Sequence, residues 1–184
     1  LLVDDPSDRH YYVDGSPTVA DVWPYPTPTT ATKDPSGSEW ETRLFSGLRQ
    51  GGRGFFALGV TDPSDAASYP DYAWDFPLFD DPDDIGDPSS ILPFLGESWS
   101  QPVITKIRVA VDSNDNYGQG FERWVMIVSG GFHDNGDPND ALRYDANAYP
   151  SRSILIVDIT SGELLAMKHF NPSAPAGDAQ GDMR

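Results

Sequence analysis

The sequence contains no cysteine, few basic residues and no long apolar run. Without cysteine, the chain can form neither disulfides nor thiolate metal sites. Lysine and arginine total 12 against 29 acidic residues, giving a formal net charge of −17. This charge disfavours nucleic acid and anionic lipid as partners and favours metal cations or basic proteins. No apolar run approaches the roughly 18 residues that a membrane-spanning helix needs.

Glycine, proline and aromatic residues are plentiful instead. The chain has 17 glycines and 17 prolines, and 12% of its residues are aromatic. A disordered chain would be poor in aromatic residues, whereas short strands joined by long loops use all three types. The composition therefore predicts a loop-rich all-β protein.

The second half of the chain carries four apolar runs, each followed by turn residues. They predict strands at Gln101–Ile107, Trp124–Val128, Ile154–Ile159 and Leu164–Phe170. Thr160, Ser161 and Gly162 lie between the last two runs, which is typical of a β-hairpin. Strands that follow one another with short turn signals predict one antiparallel sheet.

The first half repeats this order of strands in a weaker form. Strands are expected at Thr18–Val22, Glu41–Phe45, Gly54–Thr61 and Tyr72–Phe76. The best match of the two halves places Thr18 on Pro102, Thr42 on Val125 and Gly54 on Ser153. A repeat of four strands is the pattern of a β-propeller blade with insertions in its loops.

The predicted fold is therefore all-β, a β-propeller segment of about two four-stranded antiparallel blades with long loop insertions. Residues 1–98 would form the first blade, with Pro- and Asp-rich insertions, and residues 99–184 the second blade and the start of a link to the next. Because a propeller needs at least about four blades, we expect the chain to be part of a longer protein.

One loop has spacing close to that of a calcium-binding loop. Its candidate ligands are Asp112, Asn114, Asn116 and Glu122. Oxygen ligands at alternating positions suit calcium, with the glutamate as a closing carboxylate. The sharp-turn glycine, however, comes one position late at Gly118, and Arg123 occupies the twelfth position. These departures favour an ordinary polar hairpin loop, with a calcium site as the alternative.

The aromatic residues fall into two groups. Those within or beside predicted strands are expected to fill the space between adjacent blades: Phe55, Phe56, Trp74, Trp99, Trp124 and Phe132. Those in the long insertions would be the better candidates for an exposed contact surface: Trp23, Tyr25, Phe79 and Phe94.

Several segments, taken together and in order, resemble the C-terminal propeller of the PilY/PilC type IV pilus tip adhesins. They are Tyr12–Pro17, Gly51–Pro63, Gln101–Ile104, Trp124–Phe132 and Ile156–Leu164. The resemblance implies a surface protein of a Gram-negative-type bacterium, secreted to the pilus tip or outer membrane. It also implies a role in pilus biogenesis, adhesion and surface motility, exerted by binding to minor pilins or to a host or surface receptor, with the rest of its own propeller as a further partner.

An enzyme is not expected from the sequence. The three histidines have no metal-ligand spacing and there is no Gly-x-Ser-x-Gly elbow, so no catalytic or cofactor-binding residue is predicted. The alternative is a segment of a quinoprotein-type propeller dehydrogenase, because the blades of those enzymes end in a pattern similar to Val157–Gly162. Their cofactor is contacted from several blades, and two blades could not hold it.

Overall fold

The computed structural model describes residues 12–24, 39–77, 94–109, 121–132 and 153–169, and these form eight strands. The first four are β1 (Thr18–Val22), β2 (Glu41–Gly47), β3 (Phe55–Gly59) and β4 (Asp71–Phe76). The second four are β5 (Val103–Val109), β6 (Phe121–Ser129), β7 (Ser153–Asp158) and β8 (Leu164–His169). Over the described ranges there is no α-helix, and hence none that could cross a membrane.

The strands form two separate antiparallel sheets, each following the order of the sequence. Sheet I has the order β1-β2-β3-β4 and sheet II the order β5-β6-β7-β8. The all-β prediction, with two four-stranded antiparallel units, is confirmed. Sheet I lies within residues 1–98 and sheet II within 99–184, while the exact limits of the two units stay a prediction.

The two sheets share one hydrophobic core. Phe45, Phe55 and Trp74 of sheet I and Met126 and Leu155 of sheet II are almost completely buried in a single cluster. At the margin of this cluster, the rings of Trp40 and Trp124 meet edge to face, with centroids 5.9 Å apart. Burial of apolar area at roughly 25 cal/mol per Å² makes this interface the main stabilising contact between the sheets.

The turn between β7 and β8 fastens sheet II to sheet I. The Asp158 carboxylate accepts the backbone N–H of Thr160 at 2.6 Å and is paired with Arg123. The carbonyl oxygen of Ile159 then accepts hydrogen bonds from Trp74 Nε1 at 2.7 Å and from the Arg43 guanidinium. A buried indole and a buried guanidinium thus find their acceptor on the neighbouring sheet, which fixes how the sheets sit together.

The repeat is present, but its strand register differs from the sequence alignment. A β-bulge falls between Ala57 and Leu58 in sheet I and between Ile156 and Val157 in sheet II. When the two sheets are superposed on these bulges, the pairing of their strands makes Thr42 equivalent to Trp124 and Thr18 equivalent to Val103.

Two further features support this superposition. The N–H of Val60 donates to the carbonyl of Thr42 in sheet I, and the N–H of Ile159 donates to the carbonyl of Trp124 in sheet II. These two hydrogen bonds are equivalent in the superposition. The positive-φ residues Arg49 and Gly131 also coincide.

The sequence alignment was therefore wrong by one residue in the first two strands. It placed Thr42 on Val125 and Thr18 on Pro102, because it matched apolar residues to apolar residues. Since side chains alternate between the faces of a strand, a slip of one residue exchanges the two faces. In the true superposition, the core-facing side of sheet I corresponds to the outward side of sheet II.

Gly162 should be intolerant of any side chain. It has a φ of 75°, and an added Cβ would lie 3.0 Å from the Trp74 ring. A left-handed residue other than glycine costs about 1–2 kcal/mol. Gly162→Ala should therefore lower the free energy of unfolding by at least about that amount in urea titrations followed by tryptophan fluorescence.

Gly59→Ala is the matched control. An added Cβ there would meet Asp71 at 3.4 Å, close to an ordinary contact, so its unfolding midpoint should shift far less. Equal effects of the two substitutions would show that contact between this turn and Trp74 does not stabilise the assembly of the sheets.

Candidate functional site

The predicted calcium ligands are only partly visible. Asp112, Asn114 and Asn116 lie outside the described residues, whereas Glu122 lies on β6. Its carboxylate is 3.3 Å from the Lys106 ammonium on the adjacent strand. Glu122 would have to exchange this ion pair for a metal ion. Among the residues that the structure describes, no three His, Asp or Glu side chains are grouped to hold a metal, and the calcium site stays a prediction.

Three aromatic side chains differ in exposure from what the sequence analysis indicated. Trp99 is 41% exposed and Phe132 is 53% exposed, so neither fills the space between the sheets as expected. Trp23, a candidate contact residue if exposed, is buried, and its Nε1 donates to Glu39 at 3.0 Å. Tyr25 and Phe79, predicted in the same way, lie outside the described residues. Because exposed aromatic rings mark contact surfaces, Trp99 and Phe132 replace Trp23 as candidates.

Trp99 and Phe132 belong to a connected group at the end of the two sheets where the strands β1 and β5 begin. We call this group the rim cluster, and its members are Asp14, Arg49, Glu97, Trp99 and Phe132. The Arg49 guanidinium lies 4.0 Å from the centre of a Trp99 ring, and Trp99 Nε1 donates to Glu97 at 2.9 Å. The cation–π contact and the hydrogen bond hold a half-exposed indole in a fixed orientation.

Arg49 holds its place in the rim cluster at a conformational cost. Its φ of 53° is in the left-handed region, where sheet II has Gly131. Such backbone conformations persist when surrounding contacts impose them. Here Nη1 of Arg49 donates to the carbonyl of Asp14 at 3.1 Å, alongside the stacking on Trp99.

An open cleft of about 210 Å³ adjoins the rim cluster. Arg49, Trp99, Ser16 and Gln101 are among its lining residues. A guanidinium, an indole and neutral polar groups can together offer hydrogen-bond donors and a flat apolar face. Such a surface can contact a peptide or a glycan, and the described residues that line it include no acid–base pair for catalysis.

The segment Phe94–Trp99 positions the rim cluster by tying both sheets together. The buried Ser98 hydroxyl accepts the N–H of Leu48 at 2.9 Å and donates to the Gly54 carbonyl at 2.5 Å, both next to sheet I. On the other side, Glu97 and Phe132 exchange backbone hydrogen bonds of 2.6 and 2.7 Å next to sheet II. One short segment therefore sets the positions of Glu97 and Trp99 relative to both sheets.

The sequence analysis missed Arg49 and Trp99 as surface residues. Arg49 lies in the glycine-rich stretch between β2 and β3, where the sequence analysis predicted no contact residue. Trp99 lies between two serines, just ahead of β5. Its position outside a strand and among small polar residues was the available signal for exposure.

Two ionisable groups, one on β4 and one in the loop before it, have pKa values that are shifted mainly by local hydrogen bonds. The Ser64 hydroxyl donates to Asp62 at 2.6 Å and lowers the pKa of that carboxyl below its usual range. A hydrogen bond to Asp75, with burial a smaller cause, raises the pKa of Tyr72. The lowered pKa favours the ionised form of Asp62, and the raised pKa favours the neutral form of Tyr72. Both groups already have these forms at neutral pH, which fits a structural role.

These features define the class of the protein: an all-β, two-blade segment of a β-propeller, with a polar and aromatic cluster at one edge and no catalytic group among the residues just described. No protein-family model matches the sequence. The chain is, however, similar to the type IV pilus biogenesis factor PilY1 of Pseudomonas aeruginosa PAO1, with 25% identity over 156 residues. That match covers 85% of this chain and 9% of the relative.

Two other comparisons give the same name. PilY1 of the strain UCBPP-PA14 is 25% identical over 173 residues, covering 94% of this chain and 10% of the relative. The crystal structure of the P. aeruginosa PilY1 C-terminal domain is 24% identical with a TM-score of 0.46, covering 89% of this chain and 23% of that domain. The predicted resemblance to the PilY/PilC proteins is confirmed, and the chain spans about a tenth of the length of the curated relatives.

Ser98 should be necessary for the attachment of the Phe94–Trp99 segment. Ser98→Ala would remove the hydroxyl that joins this segment to the turn between β2 and β3. The N–H of Leu48 would keep its 3.0 Å bond to the carbonyl of Gly54, but the buried N–H of Gly54 would lose its acceptor, at a cost of about 1–3 kcal/mol. Thermal unfolding should therefore occur at a lower temperature than in the unsubstituted protein.

Ser100→Ala serves as the control, since the Ser100 hydroxyl accepts only an exposed N–H of Ser129 at 3.1 Å. Its melting temperature should hardly change. A Ser98→Ala variant as stable as Ser100→Ala would contradict the role given to Ser98.

Proposed function

We propose that this chain is part of a type IV pilus biogenesis factor and acts by binding, without catalysis. The observation that carries the proposal is the similarity to PilY1 over 85% of the chain. The rim cluster adds a physical means of binding, because its half-exposed indole is held by Arg49 and Glu97. A fixed aromatic side chain contributes contact area with little loss of conformational entropy.

The proposed location is the bacterial surface, at the pilus tip or outer membrane. The proposed partners are minor pilins, which would link the protein to pilus assembly, or a receptor on a host or surface, which would make it an adhesin. The quinoprotein dehydrogenase alternative is not favoured, because the three similar curated proteins all carry the name of a pilus biogenesis factor.

Gene deletion in the source bacterium tests the pilus role. Loss of the complete gene product should remove surface pili, counted by electron microscopy, and abolish twitching motility. Reintroduction of the full-length gene should restore both. Normal piliation in the deletion strain, with no second copy of the gene, would contradict the proposed function.

The rim cluster can be tested in the same strain. Full-length protein carrying Trp99→Ala and Phe132→Ala should be present at the normal level but should restore piliation or attachment at least several-fold less well. Val13→Ala is the matched control, because Val13 is 52% exposed and is not part of the rim cluster. Full restoration by the double variant would remove the rim cluster as the binding surface.

We also propose that the loop of Asp112, Asn114 and Asn116 binds calcium together with Glu122. Alternating oxygen ligands support this, although the Lys106–Glu122 ion pair competes for the closing carboxylate. Calorimetry on chelator-treated protein should show micromolar binding that Asp112→Ala abolishes. Absent binding, or binding unchanged in Asp112→Ala, would identify the loop as an ordinary hairpin.

A further inference from the structure

The cleft beside Trp99 lies at the ends of the strands, where the two sheets meet. Its lining residues come from the segment before β1, the turn between β2 and β3, and the segment before β5. Successive blades of a propeller pack face to face around a central axis. Because both walls of the cleft belong to the two described sheets, its lining does not depend on what packs on their outer faces.

The exposed part of the Trp99 side chain consists mainly of ring carbons. The Arg49 guanidinium covers one face of the indole at 4.0 Å, and the indole N–H is bonded to Glu97. The side chain is nevertheless half-exposed. A ligand that contacts this ring must therefore offer an apolar surface to it.

The remainder of the cleft is polar and mostly uncharged. Ser16 and Gln101 line it and are exposed, so their side chains are open to a ligand. A serine hydroxyl and a glutamine amide can each both donate and accept hydrogen bonds. The Arg49 guanidinium has five N–H groups, and its Nη1 donates to the carbonyl of Asp14 while other N–H groups can donate to a ligand. This combination matches a ligand rich in hydroxyl groups, which also donate and accept.

The charges around the cleft favour an uncharged ligand. The Arg49 guanidinium lies within 4.0 Å of the Asp14 carboxylate, and Glu97 adds a second negative charge. An anionic ligand would be repelled by the two carboxylates. A basic peptide, which the net charge of the chain would attract, would bring its cation to an indole that Arg49 already occupies.

The backbone conformation of Arg49 also indicates a role for its side chain. Among the described residues, Arg49 is the only one other than glycine with a positive φ. Glycine adopts this conformation without strain, as Gly131 does at the equivalent position of sheet II. Strained residues are concentrated at binding sites, and a guanidinium that both orients Trp99 and donates to a ligand accounts for arginine here.

We propose that this cleft binds a neutral saccharide, with one β-linked galactose or glucose ring stacked on Trp99 and its hydroxyls bonded to Arg49 and Gln101. Several C–H bonds of these rings point to one face, and their small positive charge is attracted to the negative face of an indole. The volume of about 210 Å³ is below the roughly 300–1,000 Å³ of sites for drug-sized ligands, so it suits a single ring. This inference rests on the binding function proposed above and gives its ligand class.

Saturation-transfer-difference NMR with purified full-length protein tests the inference, with lactose, cellobiose and tetralysine as probes. At least one of the two disaccharides should receive saturation at the C–H protons of one ring, with an affinity in the millimolar range because the contact is small. Trp99→Ala should weaken this binding at least about tenfold, and Trp99→Phe, which keeps a smaller flat ring, should weaken it less. Arg49→Gly and Gln101→Ala should each weaken it as well.

Tyr69→Ala is the matched control. Tyr69 is an exposed aromatic residue in the loop between β3 and β4, at the other end of sheet I, and its removal should leave saccharide binding unchanged. Circular dichroism must show the same β content in all variants. If Trp99→Ala does not fold, Trp99→Phe and Gln101→Ala decide the result.

The saccharide inference is overturned if neither disaccharide binds, or if the cleft variants bind as well as the unsubstituted protein. Binding of tetralysine alone, lost in Trp99→Ala, would overturn it in favour of a basic peptide. Full-length protein that restores piliation but binds no saccharide would refute this inference and leave the pilus role intact. Saccharide binding by a protein whose deletion leaves piliation normal would refute the pilus role and leave the saccharide site.

Discussion

The structure depends on one buried backbone carbonyl, that of Ile159, and on the turn that presents it. Trp74 and Arg43 of sheet I both donate to this oxygen, while Asp158 holds the turn by accepting a backbone N–H and pairing with Arg123. A buried donor without an acceptor would cost about 1–3 kcal/mol. The polar contacts therefore select one relative placement of two sheets that apolar packing alone would specify less sharply.

The relative placement of the sheets also determines contacts at the other end of their strands, away from Ile159. Once the sheets are fixed, the Phe94–Trp99 segment can hydrogen-bond to both of them, and Trp99 comes under the Arg49 guanidinium. A half-exposed indole in a defined orientation suits binding better than a freely rotating one. The candidate contact surface is thus a product of the contact between the sheets, although none of its residues lies in the core.

Much of the fold was predictable because the signals are local. β1 has the predicted bounds, and the hairpin around Thr160–Gly162 forms where turn residues separate two apolar runs. The candidate site was less predictable, because exposure of Trp99 depends on contacts with Arg49 and Glu97 that are distant in sequence. The calcium ligands were proposed from spacing alone, and the one described member, Glu122, is paired with Lys106.

The sequence by itself determined the strands, their antiparallel order, the repeat and the resemblance to pilus biogenesis factors, since alternation and turn chemistry act over a few residues. Only the tertiary structure decided the register of the repeat, and with it which apolar face is covered. Both faces of these strands carry apolar residues, so hydrophobicity alone could not distinguish alignments that differ by one residue. The β-bulges and the hydrogen bonds between neighbouring strands fix the register.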